Sequence, residues 1–500
     1  MLINFTHYSL QIGLSKPKQL VEKCLKAGYD SCAITDLNTI SGCVEFYIEC
    51  KNNNIKPILG MSLESDTQLF AKNIKGWKKL IKIVSGELET DLDGDLICLS
   101  NNEKFKEKFK DFRKNDGSIR PSYYCDEEDA DIHKILVCGG LKIKINEIPN
   151  EKRYLFIDSC FSTDGIPQLA ECIIESCEEY NILSNPILPV FPTNGETEEE
   201  FLKEICRQGW RNKIAPILKT DKDKQIYLDR FTHEFSIIKA ANLFGYFLIV
   251  HDIVSHANMQ GFITGVGRGS ACGCLISYLM GITQLDPIKY NLLFERFYNT
   301  SRNTDGNISL PDIDLDVPSS KRDNIIKYVI NKYGKDNVAQ ICTYSRLQGR
   351  SVLKEILRIT TDCSNSEMNA ITKHIPDEAA ISDELEKMDK EDKSIIKWSL
   401  IHKKKELEPF CQIDENGDLH GEYADVFQKG IRLEGTFKNV GTHAAGIIIS
   451  KIPIKEICPV IDNVIQMEME YIEALGLAKF DILGVAVLSK LMRIRELAND

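Results

Sequence analysis

Long apolar runs are missing from this 500-residue chain. No segment approaches the roughly 18 uninterrupted apolar residues that a membrane helix needs, so no membrane partner is expected. The opening MLINFTHYSL lacks the basic start and the small-residue cleavage site of a signal peptide. There is no C-x-x-C pair, and the 17 cysteines are odd in number and scattered. They predict unpaired thiols in a reducing compartment, the cytoplasm, rather than disulfides or zinc. Positive charge is in deficit: a net charge of −12 argues against a protein that coats nucleic acid indiscriminately. The nine histidines are dispersed. His251 and His256 lie five residues apart, off the spacing of one helical face, which favours surface or core roles. Neither an internal repeat nor a low-complexity tract is present. What remains is the composition of a soluble globular protein, long enough for two to four domains.

The first hundred residues alternate short apolar runs (DSCAITDL, KPILGMSL, DLICLS) with helix-period segments such as PKQLVEKCLKAG, an α/β pattern. Three prolines followed by an acidic helix start mark a boundary near residue 190. Beyond about 343 the pattern turns helical and highly charged. After 436 it returns to short apolar strands.

Chemistry concentrates in LPDIDLDV. Asp312, Asp314 and Asp316 alternate with Ile313, Leu315 and Val317, so an extended strand places the carboxylates on one face and the aliphatics in the core. Like charges crowded on one face repel one another, and a divalent cation resolves the conflict. A calcium loop is the rival reading, but Val317 stands where that loop needs glycine, and position 12 is Asp323 rather than glutamate. Upstream, FITGVGRGSACGCLISYLMG reads as a strand (Phe262 to Thr264), a glycine turn (Gly265, Gly267, Gly269) and an apolar helix opened by Ser270. Such a turn can present backbone N–H groups and a helix N-terminus to a triphosphate. It is neither a Walker A loop nor G-x-G-x-x-G, and a tight structural connection would show the same residues. Downstream, LAKFDILGV carries Asp481 as the lone acid of an apolar run, two residues after Lys479. Beside a metal it becomes a third ligand; otherwise it ends a strand. From Lys321 to Arg358 nine Lys and Arg face three acids, either a solvated helix face or a phosphate-contacting surface.

In order along the chain, GVGRGSACGCLISYLMGITQLDPIKYNLLFERFYN, LPDIDLDV, KRDNIIKYVINKYGKDNVAQI, NVGTHAAGIIIS and GLAKFDILG resemble the C-family replicative DNA polymerases. This is the family of bacterial DNA polymerase III alpha subunits. The resemblance implies an α/β chain in which a degenerate PHP domain (a distorted β/α barrel) precedes a polymerase-beta-type nucleotidyltransferase palm, a mixed sheet with helices, with an inserted α-helical thumb. Its expected boundaries are 1–190 for the PHP-like domain, 191–342 for the first palm segment, 343–436 for the thumb and 437–500 for the second palm segment. Asp312, Asp314 and Asp481 are then the catalytic ligands of two Mg²⁺ ions, with Asp316 as a supporting carboxylate. Gly269, Ser270, Arg268 and Lys479 are the nucleotide-binding candidates, and Arg346, Arg350 and Lys354 the DNA-contact candidates. The implied reaction is template-directed addition of a dNTP to a primer 3′-hydroxyl.

The N-terminal resemblance departs at the metal positions. Ile3 and Phe5 replace an H-x-H pair, Leu37 a histidine after Asp36, Ser62 a glutamate, and Pro121 to Tyr123 a D-x-H. Aliphatic and phenyl groups ligate no metal, so this domain is expected to be a contracted scaffold holding none. In the family the fingers and C-terminal domains follow the palm, and they are expected to be absent here. A second polypeptide or a missing C-terminal part would supply them, together with contact to a sliding clamp. The Asn-, Ile- and Lys-rich usage suits a viral genome. The alternative reading is a catalytically silent polymerase-fold protein that serves the replisome as an interaction platform.

Overall fold

Two sheets organise the chain. The computed structural model describes residues 2–87, 90–149, 160–193, 195–299, 310–388 and 393–499. Contacts divide the chain into one unit of Met1–Asn181 with Tyr344–Gly441, and another of Ile182–Thr343 with Thr442–Asp500. Among the described residues no single helix is long and apolar enough to cross a membrane. Among the described residues no cysteine forms a disulfide, and most are buried.

The sheet of the first unit runs in the order β1 (Ser31–Ile34), β2 (Lys56–Glu64), β3 (Thr67–Ala71), β4 (Leu96–Ser100) and β5 (Asp111–Arg113). Its outer pairs are parallel and its two inner pairs antiparallel. Helices cover it for legible reasons. In Ile74–Val84 the buried Trp77, Leu80 and Ile81 recur at helical spacing, and the Asn73 side chain accepts from the N–H groups of Lys75 and Gly76. Residues 344–441 belong to this unit and are largely helical. Val352, Leu353, Ile356 and Leu357 of Gly349–Thr360 enter the same core as Ile58, Phe70, Ile97 and Leu99. Buried Glu434 ties that segment together by accepting from Gly349 N (2.7 Å) and Ser394 Oγ (2.5 Å).

The positions that depart from a metal-binding pattern are filled by packing. Ile3 and Phe5 are buried, and Phe5 stacks on Tyr123 at 4.8 Å. Asp36 is buried under donors: Oδ1 accepts from Thr6 N (2.6 Å) and Ser9 Oγ (2.5 Å), Oδ2 from Thr6 Oγ1 (2.7 Å). His7 stacks on Phe437 at 4.0 Å, and burial, with Lys16 and Arg346 nearby, holds its imidazole well below the usual range.

In the second unit the sheet order is β9 (Val460–Ile461), β10 (Val464–Ile465), β7 (Val338–Arg346), β8 (Phe437–Ile449), β11 (Lys479–Val485) and β6 (Asp314–Pro318). The division between units falls within β7 and β8. β11 pairs antiparallel with β8 and parallel with β6. The helix Phe244–Met259, whose first half is apolar, packs Phe247, Leu248 and Ile249 into one core with Ile313, Leu315, Val317, Ile447, Phe480 and Ile482. His251 and His256 are structural here: His251 Nδ1 lies 2.6 Å from the Met280 carbonyl, and His256 stacks on Tyr328 at 3.6 Å.

Two members of the basic stretch are also committed to the fold. Arg322 donates to the carbonyls of Ile482 (2.8 Å) and Ala445 (3.3 Å), bridging β11 and β8 from one edge helix. Lys332 pairs with Asp252 at 2.5 Å.

Candidate active site

Alternation sets up the site. Ile313, Leu315 and Val317 are 2%, 5% and 2% exposed, so burial on one face directs the intervening carboxylates to the other. Asp312 lies just ahead of β6, and Asp314 and Asp316 lie on it. The parallel ladder sets Asp314 directly opposite Asp481, and Leu315 opposite Ile482. One oxygen from each of Asp312, Asp314 and Asp481 then falls within 4.8 Å of the others. Tyr246 secures the approach to Asp312: its hydroxyl donates to the Pro311 carbonyl at 2.8 Å, and its ring stacks on Phe480 at 5.0 Å.

The electrostatics are those of an anionic pocket with two flanking cations. Lys479, two residues before Asp481, shares its face, and its Nζ lies 2.8 Å from Asp481 Oδ2. Asp481 Oδ1 is buried without a hydrogen-bond partner among the described residues. A buried carboxylate oxygen left bare is costly, and a cation bound between the three carboxylates would satisfy it. The donor set is all oxygen, which suits a hard divalent ion. Burial raises the Asp312 pKa, with Asp314 and Asp481 adding to the rise and Lys479 opposing it. Burial pulls Lys479 down, but the hydrogen bond to Asp481 and the charges of Asp481, Asp312 and Glu473 leave it raised. Asp316 stands outside the triad. Arg268 spans the two carboxylates of the strand, with Nη2 at 3.2 Å from Asp314 Oδ1 and Nε at 3.5 Å from Asp316 Oδ1.

The glycine turn reaches the strand through its backbone. Gly265 N donates to the Asp316 carbonyl at 2.9 Å, and a Cβ there would fall 2.7 Å from Asp316 Cβ. Gly267 and Gly269 hold φ of +103° and +62°, the left-handed region that glycine enters without penalty.

Two expectations about this segment are corrected. Phe262 to Thr264 is not a strand: among the described residues none pairs with it in a ladder. The helix is not opened by Ser270: a 3₁₀ turn over Gly269–Gly273 comes first, and the helix runs only Leu275–Leu279. Its N-terminal donors are also taken. Fully buried Glu234 accepts from the N–H groups of Leu275 and Ile276, both at 3.0 Å. Arg230 balances it at 2.6 Å and donates to the Gly273 carbonyl at 2.6 Å. Any ligand at this turn therefore meets Gly269, Ser270 and Arg268 rather than the helix terminus.

The structure thus brings Asp312, Asp314, Asp316, Asp481, Arg268 and Lys479 together, with Gly269 and Ser270 adjoining Arg268. Arg346, Arg350 and Lys354 lie in the first unit. There Arg346 sits 5.1 Å over the Phe437 ring, Arg350 donates to the Ile375 carbonyl at 2.5 Å, and Lys354 donates to Asn369 at 2.6 Å.

Two residues near the triad escaped sequence reasoning. Glu473, from the short helix Met469–Ala474, has its pKa raised by partial withdrawal of the carboxyl from water; Lys479 opposes this, and Asp312 and Asp481 add to it. His443 folds over Gly446, the ladder partner of Asp481.

Comparison with known proteins finds similarity along most of the chain. Residues 200–484 match the family model described as the bacterial DNA polymerase III alpha NTPase domain, and residues 4–128 match the PHP domain. Among curated proteins, the DNA polymerase III subunit alpha of Borreliella burgdorferi is 30% identical, over 96% of this chain and 48% of its own length. That of Ureaplasma parvum is 30% identical over 97% and 50%, and that of Bacillus subtilis 28% over 96% and 47%. The chain spans about half the length of these relatives. With more than half of its residues inside one family model, and a PHP domain ahead of it, the chain belongs to the bacterial DNA polymerase III alpha family.

Proposed function

We propose that this chain carries the catalytic centre of a DNA-directed DNA polymerase, joining a dNTP to a primer 3′-hydroxyl under the direction of a template. One observation carries the reading: three aspartates on or just ahead of two paired strands converge within 4.8 Å, and one of their oxygens is buried and bare. Asp312, Asp314 and Asp481 would hold Mg²⁺. The two bound ions would lower the barrier by acidifying the hydroxyl nucleophile and offsetting charge on the phosphates.

The chain's own residues do the rest. Arg268, Gly269 and Ser270 receive the triphosphate beside β6. Lys479 holds Asp481 in place through their ion pair, and offsets phosphate charge. Asp316 steers Arg268. A PHP-like scaffold over 1–190 and a helical, thumb-like segment over 343–436 accompany the centre, and Arg346, Arg350 and Lys354 of that segment face primer–template DNA. A complementary polymerase portion, further along the same polypeptide or on another, provides the fingers and the route to a sliding clamp.

The test is Mg²⁺-dependent primer extension, by this chain alone and with the complementary portion, alongside Asp314→Asn. Extension that needs Asp314 is the expected result. Extension surviving in Asp314→Asn overturns the assignment. A folded wild-type protein that binds no divalent ion at the triad favours the silent, platform reading.

A further inference from the structure

The triad has two flanks, and only one is accounted for. Across the sheet the order is β6, β11, β8, so Asp481 sits on the middle strand. The glycine turn and Arg268 lie on the β6 side. On the β8 side stands His443.

The placement of His443 is specific. Its Nδ1 accepts from the backbone N–H groups of Gly446 (2.8 Å) and Ala445 (3.3 Å). An imidazole nitrogen that accepts carries no proton, so this ring is neutral with its hydrogen on Nε2. That N–H has no protein partner among the described residues, and the ring is partly exposed. Gly446 faces Asp481 across the ladder. A Cβ placed on Gly446 would lie 3.2 Å from His443 Nδ1, 3.5 Å from Asp481 Oδ1 and 2.8 Å from Ile341 Cδ1. The ring and the carboxylate therefore meet over the same glycine, on the triad face, and the missing side chain keeps the space between them open.

The two flanks differ in chemistry. Arg268 and an open glycine turn suit a polyanion carrying several charges. A neutral N–H beside the middle carboxylate suits a group of lower charge, such as one phosphodiester. Resting on the polymerase reading, we propose that His443 Nε2–H donates a hydrogen bond to a phosphodiester oxygen of the primer's terminal nucleotide. It thereby seats the strand that brings the 3′-hydroxyl, while Arg268 and the turn seat the incoming nucleotide. His443 is then a substrate-binding residue with a role separate from the turn it closes in β8.

Two substitutions separate binding from folding. Asn at 443 offers a carbonyl oxygen to the Gly446 and Ala445 amides but has no distal donor. Gln carries an N–H near the position of Nε2. The measurements are the affinity for a fluorescein-labelled primer–template duplex in Mg²⁺, by anisotropy, and the affinity for Mg·dNTP, by competition against a fluorescent nucleotide. They use the polymerase in its extension-competent form. His443→Asn is expected to weaken duplex binding by about tenfold, the scale of one neutral hydrogen bond, with Mg·dNTP affinity unchanged. His443→Gln is expected to recover most of the loss. Wild-type duplex affinity in His443→Asn overturns the proposal, and so does a parallel loss of both affinities, which marks a structural role. Asp314→Asn, run alongside, tells the two readings apart. If it abolishes extension while His443→Asn binds normally, only the role of His443 falls; if it extends normally, the polymerase reading falls and this inference with it.

Discussion

Asp36 and Asp481 are both aspartates lost from solvent, at 1% and 8% exposure, yet they are furnished in opposite ways. Asp36 accepts three hydrogen bonds from Thr6 and Ser9, at least one on each oxygen. Asp481 has one oxygen on Lys479 and the other bare, within reach of two more carboxylates. The contrast separates a carboxylate that holds a fold from one that waits for a ligand. Where donors fill the lone pairs, the group is a structural brace, and the apolar residues around Asp36 complete that role. Where lone pairs from three aspartates point at one another, the arrangement is unfavourable by itself and calls for a cation.

Breaking each aspartate should have opposite consequences. The largest effect is functional: Asp481→Asn is expected to lower extension by two orders of magnitude or more, with thermal stability held or raised because a repulsion is relieved. A calorimetric scan with a parallel extension assay checks both halves. Next, Asp36→Ala strands three buried donors and should destabilise the first unit by about 3 kcal/mol. Urea unfolding at pH 5 reads this out, and Mn²⁺ binding at the triad should be unchanged.

The third effect follows from protonation. Burial pushes the Asp36 pKa from 3.8 up to about 6, against the pull of Ser9 and Thr6. The folded state therefore holds the proton more tightly than the unfolded one. Its stabilising contribution is complete below pH 3.8 and is lost as the pH rises through about 6. The expected loss is about 2–3 kcal/mol, and Asp36→Asn should flatten that limb of the stability profile measured from pH 4 to 8. The smallest effect sharpens the other side of the comparison. Gly446→Ala crowds Ile341 and wedges between His443 and Asp481; it is expected to cost about 1–2 kcal/mol in thermal unfolding.

Part of this was legible in the chain. The alternation of Ile313, Leu315 and Val317 with carboxylates defines a strand and its faces, because burial of three aliphatics leaves the register no freedom. Asp481 announces itself as the lone acid of an apolar run. The fate of the glycine turn could not be read locally. Glu234 lies some forty residues upstream of the amides it accepts, on a helix, Asp221–Ala240, whose charged surface gives little sign that one glutamate is fully buried. The four-residue spacing of Arg230 and Glu234 was the available signal. His443 was visible within NVGTHAAGIIIS, but its meaning depends on a side chain folding back over a glycine that faces another strand. Glu473 has no pattern of its own, since its state arises from burial and from its place near Lys479, Asp312 and Asp481 in the fold.

The ladder between β6 and β11 has a consequence for how this gene can change. Asp314 and Asp481 meet through backbone hydrogen bonds between two strands, while the covalent path between them runs out through residues 344–441 of the other unit. Lengthening, shortening or severing that excursion leaves the ladder's donors and acceptors in place. Slipping either strand by one residue instead turns its carboxylate to the opposite face. Insertions and breakpoints in the long detour thus spare the ladder, whereas within a few residues of either aspartate they are ruinous to it.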